Sequence, residues 1–156
     1  MTAQEYNHVF LPRINSAEEF VELFESSIEH MSETRVDYAD RIMKLSESIT
    51  EAYVASGAGI PTDTLLTKIL LGTVGCVPAY DRYFKKALAD TGAAPQVFSA
   101  KSIRTLGNLY LDHEDEFEKL RKHCGSQIGY PAAKILDMCF FEYGFQRDAS
   151  SQEDSD

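Results

Sequence analysis

Apolar side chains recur with helical spacing along most of this chain, and glycine or proline separates one such segment from the next. The first two segments each carry one apolar stripe, made by Phe20, Leu23, Phe24, Ile28 and Met31 and by Ile42, Leu45, Ile49, Ala52 and Tyr53. No segment favours a strand. The spacing therefore predicts an all-α fold.

Two further segments are apolar nearly all round. One runs from Leu65 to Leu71, and the other contains residues 135–141. A helix that is apolar on every side belongs in the interior of a protein. We therefore expect one compact domain of about six helices in an irregular or orthogonal arrangement, with these two helices buried at its centre. A regular four-helix bundle would show one clean stripe on each helix.

Local signals set the expected boundaries of the helices. Ser16 and Glu19 form a capping box, Pro78 suits the first position of a helix, and Gly92 suits the end of one. The six helices are expected at about 16–32, 34–55, 62–71, 78–90, 99–124 and 131–143, where the third begins at Thr62 or Asp63 and the fifth at Ser99 or Ser102. We divide the chain into an irregular segment at 1–15, a helical domain at 16–146 and an acidic tail at 147–156. The tail lacks large apolar side chains to anchor it, so disorder is expected there.

Composition narrows the classes of protein to which this chain can belong. The 156 residues carry a net charge of −10, which repels nucleic acid and anionic lipid at long range. Residues 61–111 are locally basic, with three acidic and six basic side chains. Three widely spaced cysteines predict a reducing, cytoplasmic compartment. Neither a signal peptide nor an apolar run of the roughly 20 residues that span a membrane is visible.

Two blocks of the chain resemble a family of uncharacterised bacterial proteins. The first is PTDTLLTKILLGTVGCVPAYDRYF at residues 61–84, and the second is YPAAKILDM at residues 130–138. The resemblance covers about the C-terminal three-fifths of the chain. It implies a fold and a bacterial origin, and it implies no established activity.

The first block also resembles, more faintly, a helix–hairpin–helix, in which backbone N–H groups of a glycine turn contact a DNA phosphate. Gly75 and Ala79 match the second half of that motif, whereas Thr73 stands where its first glycine would be. A helix that began at Pro78 would offer unpaired N–H groups to an anion. The candidate contacts for an anion or a nucleic acid are Lys68, Gly72, Gly75, Arg82, Lys85 and Lys86. Alternatively, the glycines only allow two helices to pass closely, and the basic side chains form a solvated face.

The remaining polar residues suggest no catalytic or metal-binding set. Asp81 fits a charge at a helix N-terminus or a partner of Arg82 or Lys85. His113 shares a helix face with Glu116 but has no second histidine at metal spacing. Cys124 directly follows His123, and adjacent residues on a helix point about 100° apart. We therefore predict no catalytic residue, no metal and no cofactor.

Three functions remain open. The first is a small acidic protein-interaction module, such as an antitoxin, an immunity protein or a phage-defence accessory protein, with a protein partner of unknown identity. The second is a nucleic-acid-binding domain that uses residues 65–86. The third is an enzyme of unknown reaction, for which the residues give no positive support.

Overall fold

A computed structural model describes residues 35–124 and 130–153. Within these ranges the chain forms six helices and no strand. They are α1 (Arg35–Ala55), α2 (Asp63–Thr73), α3 (Arg82–Thr91), α4 (Ala100–Asp112), α5 (Glu114–Cys124) and α6 (Ala132–Glu153). The prediction of an all-α fold is confirmed. The helix expected at 16–32 and the segment at 1–15 lie outside the described residues.

The core lies where α1 packs on α4 and α3 packs on α6. Its centre is the ring of Tyr80, whose centroid is 5.2 Å from that of Phe84 and 5.3 Å from that of Phe98. The largest fully buried side chains are Tyr80, Phe84, Ile42, Leu45, Leu70, Leu88, Ile135, Val77, Thr67 and Ser102. Since these residues come from α1, α2, α3, α4, α6 and the segment between α2 and α3, one core joins the described part of the chain.

Helix α2 begins where the sequence places it. The hydroxyl of Thr62 accepts a hydrogen bond from the N–H of Leu65 at 3.3 Å, which caps α2. The burial of α2 differs from the prediction, because Leu66, Ile69 and Leu70 are buried whereas Leu65 is exposed. This apolar helix therefore has an inner and an outer side, and so has α6.

The start of α3 was predicted wrongly. It begins at Arg82 instead of Pro78, and residues 76–81 form a buried, irregular connection. The N–H of Ala79 donates to Asp137 at 2.9 Å, and the N–H of Tyr80 donates to Thr67 at 2.8 Å. Because side chains of α6 and α2 satisfy these N–H groups, the segment gains its hydrogen bonds without becoming helical.

The single helix expected at 99–124 is two helices, α4 and α5. The N–H of His113 bonds to the carbonyl of Tyr110 at 3.2 Å, and the backbone of His113 leaves the helical conformation with φ −125° and ψ 30°. The ring of Phe117 then stacks on that of Tyr110 at 5.0 Å. Acidic residues at 114–116 favour the positive N-terminus of a new helix, so a break at this point has a local electrostatic reason as well.

Helix α6 continues to Glu153, ten residues beyond the end expected at 143. This corrects the disordered tail predicted to start at 147, of which residues 154–156 lie outside the described part. Contacts one helical turn apart support the extension: Gln146 donates to Glu142 at 2.8 Å, and Ser150 donates to the carbonyl of Gln146 at 2.9 Å. The described helices include none that is both long and apolar enough to cross a membrane.

Candidate functional site

Helix α3 crosses α6 at very short range because α6 has a glycine at the crossing. A Cβ atom on Gly144 would lie 2.0 Å from the carbonyl oxygen of Tyr83, so no other residue fits there without movement of the backbone. On the inner side of this crossing, the ring of Phe140 packs on that of Phe84 with centroids 5.5 Å apart. The crossing fixes which side of each helix faces outward.

Three aromatic rings lie together on the outside of this crossing, and we call Tyr83, Phe141 and Phe145 the aromatic face. The ring of Tyr83 is 5.1 Å from that of Phe141 and 5.4 Å from that of Phe145, both in edge-to-face geometry. Phe141 and Phe145 are one turn apart on α6 and are 37% and 47% exposed. Large apolar side chains that cluster in solvent are unusual on a protein that acts alone, and they mark interaction surfaces.

Arg82 extends the aromatic face. Its guanidinium carbon lies 4.3 Å from the centroid of the Tyr83 ring, and the guanidinium also hydrogen-bonds the Tyr83 hydroxyl. It pairs with Asp148 of α6 at 3.4 Å. The hydrogen bond to Tyr83 is the main reason that the pKa of Arg82 lies above its ordinary value. Arginine and aromatic residues are the types enriched at the energetically important positions of protein interfaces.

The other flank of α6 repeats this combination of arginine and aromatic ring. The guanidinium carbon of Arg147 lies 5.9 Å from the centroid of Tyr143, whose side chain is 38% exposed. Arg147 also approaches Asp90 of α3 at 3.9 Å. The outer surface of α6 therefore presents aromatic rings bordered by arginines on both sides of its contact with α3.

The four basic side chains predicted to contact an anion each lie near a carboxylate. The pairs are Lys68–Asp81 at 3.9 Å, Arg82–Asp148 at 3.4 Å, Lys85–Asp63 at 4.0 Å and Lys86–Asp90 at 3.8 Å. An anion would have to compete with these carboxylates. Asp81 also occupies the N-terminus of α3, since its side chain accepts hydrogen bonds from the N–H groups of Tyr83 and Phe84 at 3.1 and 3.0 Å. The actual N-terminus of α3, four residues after the start expected at Pro78, therefore already binds a carboxylate of the chain itself.

The two candidate glycines occupy different environments. Gly72 lies within α2, and a Cβ atom there would meet nothing within 4 Å. Gly75 has a φ of +71°, and a Cβ atom there would lie 2.6 Å from Cγ of Pro131. The contact of Gly75 with Pro131 supports the alternative in which glycine allows close packing.

The two sequence blocks at 61–84 and 130–138 meet in the structure. Besides the contact between Gly75 and Pro131, the carboxylate of Asp137 accepts from the N–H of Ala79 at 2.9 Å and from Lys134 at 2.7 Å. Asp137 is buried, so these hydrogen bonds compensate the loss of its hydration. Residues of both blocks therefore serve to attach the segment 76–81 to α6.

The other residues considered for chemistry have structural positions. His113 follows the last turn of α4, and Asp81 caps α3. Burial raises the pKa of the Cys76 thiol to about 12, which keeps it protonated and unreactive near neutral pH. Among the residues of the described ranges, no three His, Cys, Asp or Glu side chains come close enough to hold a metal ion.

Sequence reasoning missed the aromatic face. Phe141 and Phe145 were visible as aromatic residues four positions apart, a spacing that places them on the same side of a helix. Their exposure could not be read from that spacing, because the neighbouring residues Phe140 and Gly144 have an equally apolar pattern and face inward.

Comparison with known proteins adds no relative to this description: the chain matches no family model, no curated protein and no solved structure. The resemblance of the two blocks to a bacterial family therefore stays a prediction.

Proposed function

We propose that this chain is a protein-interaction module and that it binds a protein partner through the aromatic face. One observation carries the proposal: on the outside of the α3–α6 crossing, the exposed rings of Phe141 and Phe145 pack on the half-buried ring of Tyr83. Covering these rings with an apolar surface of a partner would remove them from water, which is the main favourable term in protein association.

The close packing beneath and at the edge of the aromatic face supports the same function. Gly144 brings α6 into contact with the backbone of α3, and the stacked position of Arg82 on Tyr83 holds the edge of the face. Side chains that are ordered before binding lose less conformational entropy when the partner arrives. A small acidic protein of the cytoplasm that neutralises or assists another protein, as an antitoxin, an immunity protein or a phage-defence accessory protein does, would use such a surface.

Affinity capture with matched variants tests the proposal. Phe145→Ser removes an exposed ring from the aromatic face, and Val97→Ser removes an exposed apolar side chain that is 67% accessible and lies outside it. We expect proteins captured from a bacterial lysate by the unmodified chain to be retained by Val97→Ser. Capture by Phe145→Ser should fall at least tenfold, because aromatic hot spots contribute about 2 kcal/mol or more.

Val97→Ser should keep the melting temperature of the unmodified chain within about 2 °C, since exposed substitutions usually change stability by less than about 0.5 kcal/mol. Phe145→Ser also loses the ring contact with Tyr83, which costs about 1 kcal/mol and should lower the melting temperature by about 2–4 °C, so the protein stays folded at the temperature of the assay. Equal capture by Phe145→Ser and Val97→Ser would contradict a role for the aromatic face.

The nucleic-acid hypothesis has its own test: Lys85→Ala with Lys86→Ala should weaken binding to DNA or RNA and flatten its salt dependence. Absence of binding at low salt would remove that hypothesis.

A further inference from the structure

A second surface of the molecule forms an open groove that no part of the proposed function uses. The groove has a volume of about 330 Å³ and lies between α1, the first turn of α2 and the segment that precedes α4. We call it the α1–α2 groove, and it is lined by Met43, Ser46, Glu47, Thr50, Glu51, Asp63, Leu66 and Phe98. None of these residues belongs to the aromatic face.

The floor of the groove is apolar. Leu66 and Phe98 are buried residues of the main core, and Met43 packs against that core at the edge. The two hydroxyl side chains in the groove are engaged with their own helix, since Ser46 donates to the carbonyl of Ile42 at 2.7 Å and Thr50 donates to that of Ser46 at 2.8 Å. The charged side chains that line the groove are the carboxylates of Glu47, Glu51 and Asp63.

The carboxylates stand on opposite walls. Glu47 and Glu51 lie one turn apart on α1, and Asp63 lies at the start of α2. Two like charges at this spacing destabilise a helix by a few tenths of a kcal/mol. Within the described part of the chain, neither glutamate has an ion pair or hydrogen bond that would offset the repulsion. Asp63 approaches Lys85 at 4.0 Å, at the outer limit of an ion pair.

The geometry distinguishes between classes of cation. The three carboxylates do not converge tightly enough to hold a metal ion. Their spacing around an apolar floor instead suits a long side chain that carries a charge at the end of an aliphatic stem. Lysine and arginine lay such stems along apolar surfaces while the charged head stays in water, where carboxylates can reach it.

We propose that the α1–α2 groove binds a basic, partly apolar segment of a protein partner, with lysine or arginine heads at Glu47, Glu51 and Asp63 and their stems on Met43, Leu66 and Phe98. The negative charge of the groove favours a basic segment over an acidic or neutral one. The proposal concerns a surface separate from the aromatic face, and each can fail without the other.

The test measures the binding of a fluorescein-labelled peptide of alternating leucine and arginine by fluorescence anisotropy at low salt, with a glutamate-for-arginine peptide as the negative control. Glu47→Gln with Glu51→Gln should weaken binding about tenfold, since exposed charge pairs contribute up to about 1 kcal/mol each. The matched control is Glu114→Gln with Glu116→Gln, which removes the same charge from exposed positions of α5. The affinity of this control for the arginine peptide should lie within about twofold of that of the unmodified chain, because attraction by charges outside the groove is screened by salt.

An equal loss of affinity in both double variants would overturn the proposal, because it would show attraction to the net negative charge alone. Failure of the arginine peptide to bind the unmodified chain would overturn it as well. Misfolding of the groove variant is not expected, since removal of two like charges one turn apart relieves repulsion in α1.

Methyl resonances of methionine locate the bound peptide directly. With ¹³C-methyl methionine in the full chain, the signal of Met43 should shift on addition of the arginine peptide, whereas that of Met138 on α6 should not. Met43→Leu assigns the signal. A resonance of Met43 that stays unchanged at saturating peptide would overturn the proposal. Phe145→Ser should leave this peptide binding intact, so the result also separates the groove from the aromatic face.

Discussion

The two sides of α6 have nearly the same residue types and opposite environments. The inner side carries Ile135, Leu136 and Phe140, which belong to or pack on the core. The outer side carries Phe141 and Phe145, which are exposed. The comparison shows that the apolar residues of a helix indicate how much apolar surface it can bury. The neighbouring helix determines which side of it is buried.

The neighbour in this case is α3, and the contact point is Gly144. Because a Cβ atom at this position would lie 2.0 Å from the backbone of Tyr83, the close crossing depends on the smallest residue. With α3 at that position, Phe141 and Phe145 contact the ring of Tyr83 but stay partly exposed, and they form the surface that we propose as an interface.

Placing a charged residue on each side of α6 in turn gives the largest expected difference in stability. Phe140→Asp places an uncompensated carboxylate beside the buried ring of Phe84, and we expect a loss of about 3 kcal/mol or more in the free energy of unfolding. Phe141→Asp should cost only about 1 kcal/mol, because its carboxylate stays in water and mainly the contact with Tyr83 is lost. Urea denaturation measures both. Equal losses would mean that the two sides do not differ as described.

The glycine at the crossing gives the next largest effect. Gly144→Ala should destabilise the protein by about 2 kcal/mol, because the backbone of α3 has to move to admit one methyl group. Gly72→Ala, in the open part of α2, should stabilise it by up to about 1 kcal/mol, because alanine is the better helix former. Thermal unfolding of the two variants should therefore shift in opposite directions. A stabilising effect of Gly144→Ala would show that the crossing is looser than we describe.

Removal of the buried carboxylate of Asp137 on α6 gives the third of these effects on stability. Asp137→Ala leaves the N–H of Ala79 without its acceptor, and we expect a loss of about 2 kcal/mol. Asp137→Asn keeps an acceptor and should lose less. Glu142→Ala on the outer side provides the control and should change stability by less than about 0.5 kcal/mol. Indistinguishable results for Asp137→Ala and Glu142→Ala in chemical denaturation would argue against the attachment of segment 76–81 to α6.

The predictions that depend on residues near one another in the sequence were the most accurate. Thr62 marks the start of α2 and Ser99 that of α4, because each caps its helix through its own side chain. The start of α3 was missed for the opposite reason: Ala79 is held by Asp137, which lies 58 residues further along the chain. Pro78 is compatible with the start of a helix, but contacts from distant residues give its neighbours other hydrogen-bond partners.

The candidate site shows the same division. The sequence supplied the basic residues of α3 and the glycines that precede it. The helix start expected at Pro78 was wrong, because α3 begins at Arg82 and Asp81 caps it. The carboxylate near Arg82 is that of Asp148, 66 residues further along the chain, so this ion pair was not visible in the segment that carries Arg82.

By itself, the sequence determined that the described chain is helical, where α2 begins, and that residues 135–141 of α6 are apolar on nearly every side. These properties follow from hydrophobic spacing and from caps, which act over a few residues. Only the tertiary structure decided which side of α6 is covered and which remains in water. That choice depends on a contact between Gly144 and Tyr83, and a close approach of two backbones leaves no periodic signal in either helix.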